Sequence, residues 1–212
     1  MKELEIKVAK NLLKINAVFL RPNNPFTWAS GIKSPIYCDN RLTLAHIEER
    51  KVIENGLAQL IKEYYPSCEV VMGTSTAGIP HAAFVSDILS LPMGYVRAGA
   101  KDHGRGNQIE GAACNGKNVV VVEDLISTAG SSIEVVNILR EAGANVLGIV
   151  SIFTYNLKKG IDRLNEANVE NHSLSNFEVL AKVAVEENYI QPEDLNKVLK
   201  FQQNPSDPSW ME

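Results

Sequence analysis

Four consecutive valines, Val119 to Val122, run straight into two carboxylates and then into a stretch of small and hydroxylated residues. This stretch constrains the chain more than any other. β-Branched residues without polar alternation make a strand buried on both faces, which belongs in a parallel sheet covered by helices on each side. Glu123 and Asp124 fall where that strand would end, and Ser127-Thr128-Ala129-Gly130-Ser131-Ser132 leads into an amphipathic helix over Ile133 to Glu141. A strand, tight loop and helix start in this order turn unpaired backbone N–H groups and a positive dipole end toward a phosphate. Carboxylates beside such a cradle would repel a bare anion, so they need a polyol or a metal ion to face. A ribose phosphate suits both. The stretch lacks the GK[ST] ending of a Walker loop and the GxGxxG of a dinucleotide fingerprint. The plainer reading is an ordinary strand-to-helix turn whose hydroxyls only cap the helix. It leaves the paired acids without a purpose.

The rest of the chain alternates between elements. Leu4, Val8, Leu12, Leu13 and Ile15 space out an N-terminal amphipathic helix, and Leu44 to Tyr65 repeats as a longer one. Arg21 to Arg41, rich in Pro, Asn, Ser and aromatic residues, reads as a structured loop or short strands. Short strands are predicted at Glu69 to Met72 and Met93 to Val96, a helix at Ile79 to Leu89, and a further strand at Asn145 to Phe153. Such alternation predicts an α/β fold with a central, mostly parallel sheet flanked by helices. We expect one domain over 1–212, with an N-terminal hood at about 1–42, a core at about 43–158 and a helical C-terminal segment at about 159–212.

Two more loops bear on the chemistry. Thr74-Ser75-Thr76-Ala77, after one strand and before a helix, either touches an anion through backbone N–H groups and hydroxyls or is a plain turn with a helix cap. In a parallel sheet it would lie beside the 123–132 loop, at the carboxyl ends of the strands. His81, on the inner side of the following helix, reads as a core histidine rather than a ligand. Between Tyr95 and Gly111, the cations Arg97, Lys101, His103 and Arg105 are interleaved with glycines, which rules out a stable helix or strand. The segment is either a solvated charged hairpin or a lid. A lid of this charge would stabilise a departing pyrophosphate and exclude water.

EDLISTAGSS resembles the signature of the phosphoribosyltransferases that use phosphoribosyl pyrophosphate (PRPP), and FTWASGIKSPIYCDNR together with AKDHGRGNQIEG resembles the orotate phosphoribosyltransferases in particular. The likeness spans about residues 15 to 155. It implies the type I phosphoribosyltransferase fold and the Mg²⁺-dependent synthesis of orotidine 5′-monophosphate from orotate and PRPP, in pyrimidine biosynthesis. It further implies a homodimer in which the KDHG loop reaches the partner's site. Carried over by position, Arg97, Lys101 and His103 are catalytic and contact PRPP. Glu123, Asp124, Leu125, Ile126, Ser127, Thr128, Ala129, Gly130 and Ser131 complete the PRPP site, and Thr74 to Ala77 form the pyrophosphate loop. Ser127 matches a hydroxyl that contacts orotate. The chain departs from its relatives at Ala29 and Ala98, where many or some carry a cation. It departs again after the strand ending near Phe153, where Tyr155 and Lys158 stand in place of an orotate-binding arginine. Lys33 is either a substitute orotate contact or a solvated loop residue.

Rival functions are transfer to another base and a PRPP-binding regulator without catalysis. FTWASG disfavours the first. The second would bring a nucleic-acid module and a basic face, whereas the net charge is −4 over 212 residues. Cys38, Cys68 and Cys114 lack metal-ligand spacing and suit reduced thiols in a cytoplasm. No protein-bound metal is expected, since Mg²⁺ would arrive on PRPP. The N-terminus, with Glu3 and Glu5, does not read as a signal peptide. The apolar stretches near 70–85 and 142–157 are too broken to span a membrane.

Overall fold

The computed structural model describes residues 2–28, 30–97, 99 and 108–212. Its central strand β8 (Asn118–Ile126) carries the four valines, none of them exposed. Alternate side chains leave opposite faces of a strand. Val120 and Val122 therefore enter one apolar cluster, while Val119 and Val121 enter the other. Around β8 the sheet runs β10–β9–β8–β5–β6–β7, built from β5 (Val70–Thr74), β6 (Met93–Val96), β7 (Ile109–Gly111), β9 (Asn145–Thr154) and β10 (Asn171–Asn176). All neighbours pair in parallel except β7, which turns back antiparallel on β6.

One face is covered by α1 (Lys2–Lys14), α2 (Ile47–Tyr64), α3 (Gly78–Leu89) and α6 (Phe177–Glu186). The other face carries α4 (Gly130–Glu141) and the C-terminal half of α5 (Lys158–Glu166). The N-terminal helix lies against α6 and β10, so it belongs to the core layer rather than to a separate hood. The hood proper is two small antiparallel pairs, β1 (Val18–Leu20) with β4 (Ile36–Cys38) and β2 (Phe26–Thr27) with β3 (Lys33–Ser34).

The C-terminal segment corrects the sequence expectation of helices alone. Asn171–Asn176 is a strand at the sheet edge, and its residues NHSLSN show no apolar alternation: Leu174 and Ser175 are buried and the other four half-buried. Ser151, Asn171 and Ser173 hydrogen-bond one another across β9 and β10. The chain ends in α7 (Leu195–Gln203) and a 3₁₀ turn at Pro208–Met211.

An aromatic cluster ties this end to the hood. Trp28 stacks on Tyr155 at 5.9 Å and meets Phe201 edge-on at 5.5 Å, and Phe201 in turn meets Trp210 at 5.5 Å. Such pairs add to the stabilisation from buried area alone. Trp210, 2% exposed, closes the cluster. Trp210→Ala should lower stability by about 3 kcal/mol, read from the urea midpoint at unchanged slope. A loss below about 1 kcal/mol, the level of surface substitutions, would mean that the terminal turn is not part of this core.

Candidate active site

At the carboxyl end of β8 the two neighbouring acids have different surroundings. Glu123 is buried, and both its carboxylate oxygens are occupied by donors from the protein. Oε1 accepts from the Thr74 hydroxyl at 2.7 Å and from the Asp124 N–H at 2.9 Å, while Oε2 accepts from the Ser132 hydroxyl at 2.8 Å. Asp124 is half-buried toward the hood, where Asn40 Nδ2 donates to its carbonyl at 2.7 Å. Burial first, and the adjoining Glu123 second, raise the Asp124 carboxyl to about 7.

The loop after β8 rises into α4 through Ala129, which takes the left-handed conformation at φ 60°. No side chain caps α4 there. Ser132, a natural capping type, points to Glu123 instead. Among the described residues no capping side chain takes an N–H at the start of α4, the arrangement that an anion cradle uses.

The Thr74–Ala77 loop stands beside it, because β5 and β8 are neighbours. Thr74 turns its hydroxyl toward Glu123, Ser75 donates to the Val96 carbonyl at 2.6 Å, and the Ser75–Thr76 peptide is cis. Gly78 makes the approach possible, since a Cβ there would run into the Thr74 hydroxyl and the Val122 carbonyl. No side chain caps α3 either. Glu123 thus holds one loop through Thr74 and the other through Ser132.

Arg97 follows β6, at the root of the proposed lid. Its N–H donates to Gln108 O at 2.8 Å, closing the β6–β7 stem. Its Nη1 lies 3.8 Å from Glu110 and is buried without a hydrogen bond among the described residues. The Ser75–Val96 bond brings the pyrophosphate-loop candidates next to this root. Lys101 and His103, with Ala29 and Ala98, lie outside the described residues.

The remaining candidates divide. Lys33 stays within its own hairpin, donating to Thr27 Oγ1 at 2.7 Å. Lys158 pairs with Asp162 at the surface. Tyr155 is buried beneath Trp28, and burial pushes its phenol well up. His81 is fully buried, 3.4 Å from Thr43 Oγ1, and burial pushes its pKa down to about 4. Ser127 and Thr128 border a cavity of about 1090 Å³ that also reaches Trp28, Lys159 and Arg163. Sequence reading missed the roles of Ser132, Asn40 and Arg163. Ser132 directly follows the recognised loop, but the other two are distant in sequence and carry no local signal. Among the described residues, no group of three His, Cys, Asp or Glu side chains is placed to hold a metal ion. Nor is any described helix long and apolar enough to cross a membrane.

Residues 43–188 match the family model of the phosphoribosyl transferase domain. The chain is 57% identical to an orotate phosphoribosyltransferase of Bacillus cereus (strain G9842) over 205 residues, covering 97% of this chain and 98% of that protein. Among solved structures it resembles orotate phosphoribosyltransferase from Aeropyrum pernix, with TM-score 0.73, 27% identity and coverage of 86% and 99% of the two chains. It also resembles Leishmania donovani UMP synthase, with TM-score 0.80 and 25% identity, over 93% of this chain and 42% of that one.

The setting of Asp124 has a consequence for stability without ligand. Its folded value, about 7, lies above the ordinary 3.8. The protonated acid therefore favours folding below about pH 4, and that contribution is lost as pH rises through 7. Asp124→Asn should leave stability near pH 4 unchanged and raise it at pH 8 by on the order of 1–2 kcal/mol, allowing for partial solvent screening. Urea unfolding across this range reads the difference. A gap between variant and parent that does not grow with pH would contradict the raised carboxyl.

Proposed function

The chain belongs to the orotate phosphoribosyltransferases, and on that premise we propose how its residues carry the transfer of a 5-phosphoribosyl group from PRPP to orotate. The products are orotidine 5′-monophosphate and pyrophosphate. The observation that supports this most is the pair of uncapped loops held side by side through Glu123. One suits the phosphate on ribose carbon 5, and the other suits the pyrophosphate on carbon 1.

In this reading Ser127 to Ser131 and the start of α4 take the 5′-phosphate, with Leu125 and Ile126 as the strand end that aims the loop. Asp124 faces the ribose hydroxyls, and Glu123 fixes the frame on which Asp124 sits. Thr74 to Ala77 and Arg97 receive the pyrophosphate, joined by Lys101 and His103. As the bond from carbon 1 to pyrophosphate breaks, its electron pair leaves with the pyrophosphate and the ribose becomes oxocarbenium-like. A ring nitrogen of orotate then forms the new bond to carbon 1 and gives up its proton, which the departing pyrophosphate can take. Positive groups at the leaving oxygens lower the barrier, because the charge they face grows toward the transition state. Ser127 and Lys33 are our orotate contacts, Lys33 exchanging its Thr27 bond for the substrate.

Mg²⁺ would arrive with PRPP rather than on a site of the protein, and when bound it would supply charge neutralisation at the leaving pyrophosphate. The donor set fits an ion carried by substrate, since the acids at the site are one buried and fully bonded, one raised in pKa. We place the enzyme in the cytoplasm as a homodimer with shared sites, a setting that suits the even scatter of three unpaired thiols.

The direct test follows orotate by its ultraviolet absorbance. Loss should require PRPP and Mg²⁺ and should not occur with other bases in its place; turnover of a purine instead would overturn the substrate assignment. Lys101→Ala should lower kcat on the order of 10²-fold, the scale for losing one preorganised electrostatic group. Mixed with an inactive Ser127-to-Ser131 loop variant under subunit exchange, it should recover roughly a quarter of parental activity, because each mixed two-fold dimer regains one intact site. No recovery despite proven exchange would mean that each subunit builds its site alone.

A further inference from the structure

We propose that Arg163, on α5 and outside both loops, is a positioning residue that sets affinity for the 5′-phosphate by holding the back of the 127–131 loop. The inference rests on the assignment of that loop to phosphate. A cradle works by turning successive N–H groups toward the anion, and because peptides are planar this sends carbonyls to the other side. Those carbonyls then need seats of their own.

The structure supplies a donor for two of them and a close-packed helix glycine for the one between. The Ile126 carbonyl accepts from the Tyr155 N–H at 2.9 Å. The Ser127 carbonyl settles against α5 at Gly160, where a Cβ would stand only 2.6 Å from the oxygen. The Thr128 carbonyl accepts from Arg163 Nη1 at 3.2 Å. The peptide pinned by Arg163 is the one whose N–H belongs to Ala129, the left-handed residue that precedes α4. A Cβ at Gly130 would come within 3.3 Å of the same guanidinium nitrogen, so the turn is fitted closely over the arginine.

Two features separate this from a general structural contact. Gly160, at the Ser127 carbonyl, is the one buried residue of α5 among those described, and the helix's apolar contact with the core is the partly buried Leu164 one turn on. Arg163 is half-buried at the rim of the cavity beside Ser127 and Thr128, rather than packed within an apolar cluster. A guanidinium-to-carbonyl bond is charge-assisted and stronger than a neutral one, which suits it to fixing one peptide orientation.

Ligand fragments separate the two halves of the site. Calorimetry with ribose 5-phosphate and with pyrophosphate, each alone, is applied to the parent, Arg163→Met and Arg163→Lys. Arg163→Met should weaken ribose 5-phosphate about ten-fold, the loss expected for one charge-assisted bond, and pyrophosphate by less than about two-fold. Arg163→Lys should recover most of the loss, since an ammonium can reach the same carbonyl with one donor. In turnover, KM for PRPP should rise about ten-fold in Arg163→Met while kcat holds within about three-fold, because the phosphate is bound alike in ground and transition states. Equal weakening of both fragments, or unchanged ribose 5-phosphate affinity in a variant that melts like the parent, would overturn the proposal. If the parent converts orotate and PRPP while Arg163→Met keeps full affinity, only this inference falls. If the parent binds neither fragment, the functional reading falls with it.

Discussion

The buried carboxylate of Glu123 is the interaction on which the site depends. A carboxyl group at the end of a fully covered strand is tolerated only when its oxygens are satisfied. Here the donors come from β5, from α4 and from the next peptide of β8 itself. The requirement to satisfy one charge therefore fixes three backbones at once. It also separates the two acids in kind. Glu123 is spent on the frame, while Asp124, carried on the peptide that Glu123 holds, leaves its side chain outside that frame.

The frame is supported from outside by segments far apart in sequence. Asn40, from the turn after the hood, donates to the Asp124 carbonyl, and Arg163 donates to the Thr128 carbonyl. Trp28 of the hood is locked against Tyr155, which follows β9 directly, and against Phe201 of α7. Tyr155 joins the two systems, since its N–H also takes the Ile126 carbonyl. The hood, the 127–131 loop and the C-terminal helices are thus parts of one packed unit.

What was legible in the sequence follows from how local each signal is. Val119 to Ser132 reads as strand, loop and helix because burial on both faces, loop composition and helix periodicity all fall within one short stretch, though the strand runs past the two acids to Ile126 and the helix begins at Gly130 rather than Ile133. Thr74 to Ala77 is readable only as an ambiguous turn, and the hydroxyl contact between Thr74 and Glu123 that gives it meaning joins residues 49 apart. β10 escapes because an edge strand of Asn, His and Ser has no alternation to detect. Arg163 and Asn40 have no local pattern at all; tertiary packing alone gives them partners. Resemblance alone suggests the roles proposed for Lys101 and His103 and for the orotate contacts, and Lys33 bonds Thr27 within its own hairpin.

The most direct measurement of the Glu123 coupling is a cross-effect between the two loops. Thr74→Val removes a donor beside the loop proposed for pyrophosphate, and Ser132→Ala removes one beside the loop proposed for phosphate, each with little change of shape. Calorimetry with pyrophosphate and with ribose 5-phosphate then reads both halves in both variants. If Glu123 couples the loops, each variant weakens both ligands, by about three- to ten-fold for one lost bond to a charged group. Weakening of only the ligand on the variant's own side would show two independent loops and contradict the coupling.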